Sequence, residues 1–123
     1  MYRRYQRRIL VIDDEAAIRS LLKGALEPKG FKVDIASDRE TAFGLWQSNS
    51  YGLVITDLVL RESSDDVDMV HLMRNTDKGI PILAMTGYGQ LVAQDALDAG
   101  ADHVLLKPFK ISKLLQVVER LID

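Results

Sequence analysis

The chain has 123 residues, which is room for one compact domain and not for two. Apolar residues make up 47% of it, which excludes a disordered or collagen-like chain, and a net charge of −2 gives no general drive toward nucleic acid or membrane. There is no cysteine, so disulfides, thiolate nucleophiles and cysteine–zinc sites are excluded, and no apolar run reaches the ~20 residues of a membrane span.

Residues 1–7 form a basic leader and residues 8–123 the expected domain. Arg3, Arg4, Arg7 and Arg8 cluster here, but without further basic surface they describe a solvated approach to the first strand rather than a nucleic-acid arm. Ile9 to Ile12 is a continuous apolar run, the pattern of a strand buried on both faces. Ile18, Leu21, Leu22, Ala25 and Leu26 then repeat at helical spacing, and Pro28 with Gly30 closes that segment. Phe31, Val33 and Ile35 alternate with Lys32 and Asp34, which predicts a strand with one wetter face at a sheet edge. Asp38 is a good N-cap for a second helix that buries Ala42, Leu45 and Trp46. Leu53 to Ile55 is the third strand, and Val67, Val70 and Met73 mark the third helix. Ile80 to Met85 is the fourth strand, with Pro81 near its start where a missing N–H is tolerated. Val92, Ala96 and Ala99 mark a shorter helix ending at Gly100, and Val104 to Leu106 is the last strand. Ile111, Leu114, Leu115, Val118 and Ile122 make the clearest helix of all.

Five repeats of strand then helix define an α/β fold, a parallel sheet covered on both faces. Right-handed crossovers and a wet second strand favour the order 2-1-3-4-5. In such a sheet, ligands bind outside the carboxyl ends of the strands, where the strand order reverses. Strand one ends in Asp13, Asp14 and Glu15, strand three in Asp57, strand four in Thr86 and Gly87, and strand five in Lys107 and Pro108. Capping accounts for one or two acids at a helix start, but clustered carboxylates repel unless something neutralises them. All candidate ligands are oxygens, which suits magnesium and its habit of keeping several waters. Asp57 is then a candidate nucleophile toward a phosphoryl group, with Lys107 offsetting charge on its oxygens and the Thr86 hydroxyl donating to one of them.

The joint order of these residues resembles the receiver domains of two-component response regulators, the chemotaxis regulator among them, whose fold is flavodoxin-like. Asp13 with Asp14, Asp57 after an apolar strand, Thr86 after Ile82 to Met85, and Lys107-Pro108-Phe109 match that family's landmark positions, as does Gly100-Ala101-Asp102. The resemblance extends from about Arg8 to Asp123. It implies that Asp57 is the phosphoacceptor, taking its phosphoryl group from a phosphohistidine of a histidine kinase or a phosphotransfer protein in a phosphorelay. It implies magnesium held by Asp14, Asp57 and the backbone carbonyl of Val59, with Asp13 acting through water. Lys107 is implied to pair with the acceptor carboxylate, across a cis Lys107–Pro108 bond, and Thr86 to be the switch hydroxyl. Glu15 reads as a helix-start residue. Such a domain is a cytoplasmic signalling module and not a turnover enzyme; its output target is unknown, and it can dimerise through the face of its fourth helix, last strand and last helix. Direct binding to nucleic acid or membrane is not expected.

Three positions depart from the family pattern. The usual Met-Pro after the acceptor and the following Gly are replaced by Leu60-Arg61-Glu62-Ser63-Ser64-Asp65-Asp66, a longer and more acidic loop. Val104 stands where an aromatic switch residue is usual, and Tyr88, two residues after Thr86, borders the phosphoryl position. Tyr88 is therefore the nearest aromatic available to move with Thr86 and to shield the aspartyl phosphate from water. His71 and His103 do not lie at a strand's carboxyl end and read as structural or surface residues. A haloacid-dehalogenase-type hydrolase would need a second Asp where Val59 stands, and a flavin carrier would need a phosphate loop where three acids stand. A degenerate receiver, acting as a phosphorylation-independent interaction module, is the remaining alternative.

Overall fold

The computed structural model describes residues 7–58, 68–77, 79–87 and 90–122. Its strands are β1 (Arg8–Ile12), β2 (Lys32–Ala36), β3 (Leu53–Asp57), β4 (Ile82–Thr86) and β5 (His103–Leu106). The helices between and after them are α1 (Ala16–Leu26), α2 (Arg39–Ser48), α3 (Asp68–Thr76), α4 (Gln90–Ala99) and α5 (Ile111–Ile122). All neighbouring strands are parallel, in the order β2-β1-β3-β4-β5 that the sequence predicts. Val59, the loop of residues 60–66, Val67 and Tyr88 lie outside the described residues.

Successive side chains of a strand point to opposite faces, so each apolar run feeds two cores. Leu10, Ile12, Val54, Ile82 and Ala84 pack under α2, α3 and α4 with Ala42, Val70, Met73 and Ala96. Ile9, Val11, Leu53, Ile55, Leu83 and Met85 pack under α1 and α5 with Leu22, Leu26, Leu114 and Val118. Burying each Leu, Ile or Val side chain contributes about 1.5–3 kcal/mol before the entropy of ordering the chain is subtracted.

Helix ends follow the local chemistry. A short 3-10 turn (Glu27–Lys29) follows α1, and Gly30 adopts φ +95°, a conformation that favours glycine. The Asp38 carboxylate accepts from the Thr41 backbone N–H at 2.8 Å and so caps α2, which holds its pKa below the ordinary aspartate value.

The edge strand corrects one expectation. Phe31 and Val33 are buried, but Ile35 is 38% exposed, because it lies near the end of β2 at the sheet edge, while Ala36 of the opposite face is buried. Asp34 is not a solvent-facing residue either. Its Oδ2 accepts from Arg8 Nε at 2.8 Å and from the Tyr51 hydroxyl at 2.7 Å. Arg7 stands 4.2 Å from the centroid of the Phe31 ring and donates to the Lys29 carbonyl.

Arg74 fastens the amino-terminal ends of β4 and β5 to the ends of α3 and α4. Its guanidinium donates to the Ile80 carbonyl at 2.7 Å, to the Gly100 carbonyl at 2.8 and 3.0 Å, and to Asp102 Oδ2 at 2.6 Å. The same Asp102 oxygen accepts from the Ile82 N–H at 2.8 Å. Gly100 has φ +123°, and a Cβ there would sit 2.7 Å from Arg74 Cγ, so the position needs glycine on two counts.

Candidate functional site

Backbone pairing just beyond the strands sets the rim at their carboxyl ends. Asp13 N–H donates to the Ala36 carbonyl, Leu58 N–H to Met85, and Lys107 N–H to Thr86, each at 2.8–3.0 Å. Asp13, Asp57 and Thr86 are thereby held at the ends of adjacent strands with their side chains buried. Asp13, Asp14 and Asp57 each offer a carboxylate oxygen, and these oxygens lie within 4.8 Å of one another.

Asp13 is fully buried and fixed at both oxygens. Oδ1 accepts from the Glu15 N–H at 2.9 Å, and Oδ2 lies 3.1 Å from the Lys107 ammonium. Arg19 of α1 donates to the Asp13 carbonyl at 2.8 Å, which ties the helix to the strand end. Lys107 also reaches Asp57 Oδ2 at 3.4 Å and Glu15 Oε1 at 3.8 Å. Burial alone would lower the lysine pKa, but the Asp57 and Asp13 carboxylates outweigh it and raise the pKa above the ordinary lysine value. The ammonium thus sits between two acids, nearer Asp13 than Asp57. The Lys107–Pro108 peptide is cis.

Among the described residues, the Lys107 ammonium meets Asp13 and Asp57 of this three-carboxylate cluster, which lies in a mostly buried setting. An all-oxygen donor set with that charge fits a hard divalent cation such as magnesium, and does not fit a soft metal. Glu15 occupies the N-cap position of α1 without a side-chain cap hydrogen bond, and its carboxylate turns to Lys107 instead. Sequence reasoning missed that contact, because helix position alone does not reveal a partner 92 residues away.

The remaining expected residues fall as follows. Val104 is partly buried beside Ala84 and packs on the core under α4. His71 is exposed on α3, and His103 opens β5 at the opposite end from the carboxylates. Burial, followed by Lys113 and Arg120, lowers the His103 pKa. Val59 and Tyr88 lie outside the described residues.

Comparisons with known proteins agree with this arrangement. The description "Response regulator receiver domain" matches residues 9–119. The transcriptional regulatory protein CusR of Escherichia coli strain K12 is 33% identical over 116 residues, which are 94% of this chain and 51% of that protein. The response regulator MprA of Mycobacterium sp. strain KMS is 37% identical over 109 residues, 88% of this chain and 47% of that protein. The chain therefore spans about half the length of these relatives. Among solved structures, a two-component response regulator from Clostridium difficile superimposes with TM-score 0.88 at 32% identity, covering 94% of each chain. A CheY-like receiver domain protein from Methanospirillum hungatei JF-1 gives TM-score 0.88 at 27% identity, covering 94% of this chain and 93% of that one. With the matched residues spanning all five strands and most of the last helix, the chain belongs to the response regulator receiver domain family.

Proposed function

We propose that this domain accepts a phosphoryl group on Asp57 from a phosphohistidine of a histidine kinase or phosphotransfer protein. The observation that carries the reading is Lys107 set between Asp13 and Asp57 within a cluster of three carboxylates. An Asp57 carboxylate oxygen attacks phosphorus as the bond from phosphorus to the imidazole nitrogen breaks, and the electron pair returns to the ring. Asp13, Asp14, Asp57 and the Val59 backbone carbonyl would hold magnesium, which supplies charge neutralisation on the transferring oxygens. Lys107 exchanges its contact with Asp57 for one with the phosphoryl group, and the Thr86 hydroxyl donates to a phosphoryl oxygen.

The phosphorylated domain switches a protein-interaction surface, with Thr86, Tyr88 and Val104 as the positions that respond. Valine lacks the size and polar tip of the usual aromatic, so Tyr88 takes the moving role and slows hydrolysis of the aspartyl phosphate. The domain turns over only its own phosphorylation, acts in the cytoplasm, and pairs through the α4–β5–α5 face without direct contact with nucleic acid or membrane.

The test is intact mass after incubation with acetyl phosphate and magnesium. The wild type gains one phosphoryl group, and Asp57→Asn gains none, because an amide is a poor nucleophile. Normal labelling of Asp57→Asn would move the acceptor elsewhere. A wild type that stays unlabelled while binding its partners would favour the phosphorylation-independent module.

A further inference from the structure

At the amino-terminal ends of the strands, away from the carboxylate cluster, a cavity of about 300 Å³ opens between the ends of α2 and α3. Trp46, Asn49 and Tyr51 form one wall, and Thr76, Asp77 and Ile80 the other. That volume lies at the small end of natural ligand pockets, which run to roughly 300–1,000 Å³.

The electrical character of the walls is one-sided. Two helices end here, and a helix C-terminus carries roughly half a negative charge on its unpaired carbonyls. No basic residue lies in the last turn of α2 to offset it. Asn49 donates to the Leu45 carbonyl at 3.1 Å, Thr76 Oγ1 to that of Leu72 at 2.8 Å, and the Asp77 N–H to that of Met73 at 2.9 Å. The Asp77 carboxylate adds a full charge and is held in place by the Gly79 N–H at 2.9 Å. Among the described residues no Lys or Arg lines the cavity. Among the described residues, the cations nearest these walls have other partners: Arg8 is paired with Asp34, and the Arg74 guanidinium with Asp102 and two carbonyls. Tyr51 keeps its hydroxyl on Asp34, so it presents a ring rather than a donor. Carboxylate, helix C-termini and an indole together describe a receptor for positive charge on an apolar body.

We propose that this cavity binds a small organic cation of the alkylammonium or quaternary ammonium class, its apolar part against the Trp46 indole and its charge facing Asp77 and the two helix ends. The assignment does not depend on phosphorylation of Asp57.

Trp46 is the only tryptophan in the 123-residue chain, so this chain reports on its own pocket. Choline is the probe, and 3,3-dimethylbutan-1-ol, which has its shape without the charge, is the control. Choline is expected to change Trp46 emission and shift its indole N–H resonance along a saturable curve with a Kd on the order of millimolar. The uncharged alcohol should bind at least ~5-fold more weakly, the share that the charge facing Asp77 and the helix ends supplies. Asp77→Asn keeps an acceptor for Gly79 and removes only the charge. It should weaken choline binding several-fold while the rest of the spectrum stays unchanged, and Asp57→Asn should bind choline as the wild type does. Equal affinity for the alcohol, a response that sodium chloride reproduces, or no saturable response up to about 0.1 M choline would each overturn the assignment. If Asp77→Asn disturbs the whole spectrum, the choline-to-alcohol ratio on the wild type decides alone.

Discussion

The two ends of the sheet handle charge in opposite ways. Toward the amino-terminal end, Asp34 in mid-β2 and Asp102 before β5 each meet an arginine, at 2.8 and 2.6 Å, and each also accepts a further hydrogen bond. At the carboxyl end Asp13, Asp14 and Asp57 crowd together and Lys107 stands between two of them. Matched pairs fasten elements to one another. Crowded carboxylates also repel one another, and that repulsion opposes the folded state. The first arrangement joins elements of the fold, and the second gathers acids at one rim.

The largest effect should come from breaking the fastened end. Gly100→Ala forces a Cβ to 2.7 Å from Arg74 Cγ at a backbone with φ +123°. A loss of about 2–4 kcal/mol is expected, from backbone strain together with the displaced arginine, and urea unfolding measures it. A loss well below that range would mean that the α4 end shifts cheaply.

Relieving the crowded end should do the reverse. Asp57→Asn is expected to raise metal-free stability by about 1 kcal/mol and to reduce the further stabilisation that magnesium gives the wild type. Thermal melts with and without the metal show both. No gain without metal would mean that Lys107 already balances the cluster.

A comparable loss is expected from Tyr51→Phe, which removes one donor from Asp34 and should cost about 1 kcal/mol by urea unfolding. The smallest effect is one of pH. Burial raises the Asp34 pKa, but the hydrogen bonds from Arg8 and Tyr51 outweigh it, and the folded value lies below the ordinary 3.8. A carboxylate depressed in this way contributes stability that is present above its unfolded pKa and lost as pH falls through its folded one. The fall in stability between about pH 5 and about pH 3 should therefore be shallower in Asp34→Asn than in the wild type. Parallel curves would assign acid sensitivity to other carboxylates.

The sequence was most legible where one residue's neighbours in the chain also decide its surroundings. Apolar runs gave the strands, a capping Asp38 gave the start of α2, and the rule of carboxyl ends gathered Asp13, Asp14, Asp57, Thr86 and Lys107 on one rim. Away from that rim, contacts between distant elements were not legible. Nothing around Asp34 announces Tyr51, 17 residues on, and nothing around Gly100 announces Arg74, 26 residues back. Ile35 shows the limit of periodicity, since alternation tells which face a residue is on but not where that face runs out.

The clasp at Gly100 has a mechanical consequence for α4. The helix is pinned at its carboxyl-terminal end through the Arg74–Gly100 contact, while its amino-terminal end follows Thr86 by only a few residues. Any displacement of α4 that keeps the clasp is a rotation about the pinned end. A ten-residue helix is about 15 Å long, so a swing of about 10° carries its far end about 2.5 Å. The helix is then a lever with its fulcrum far from the carboxylate rim and its long arm at the end that follows Thr86 in the chain.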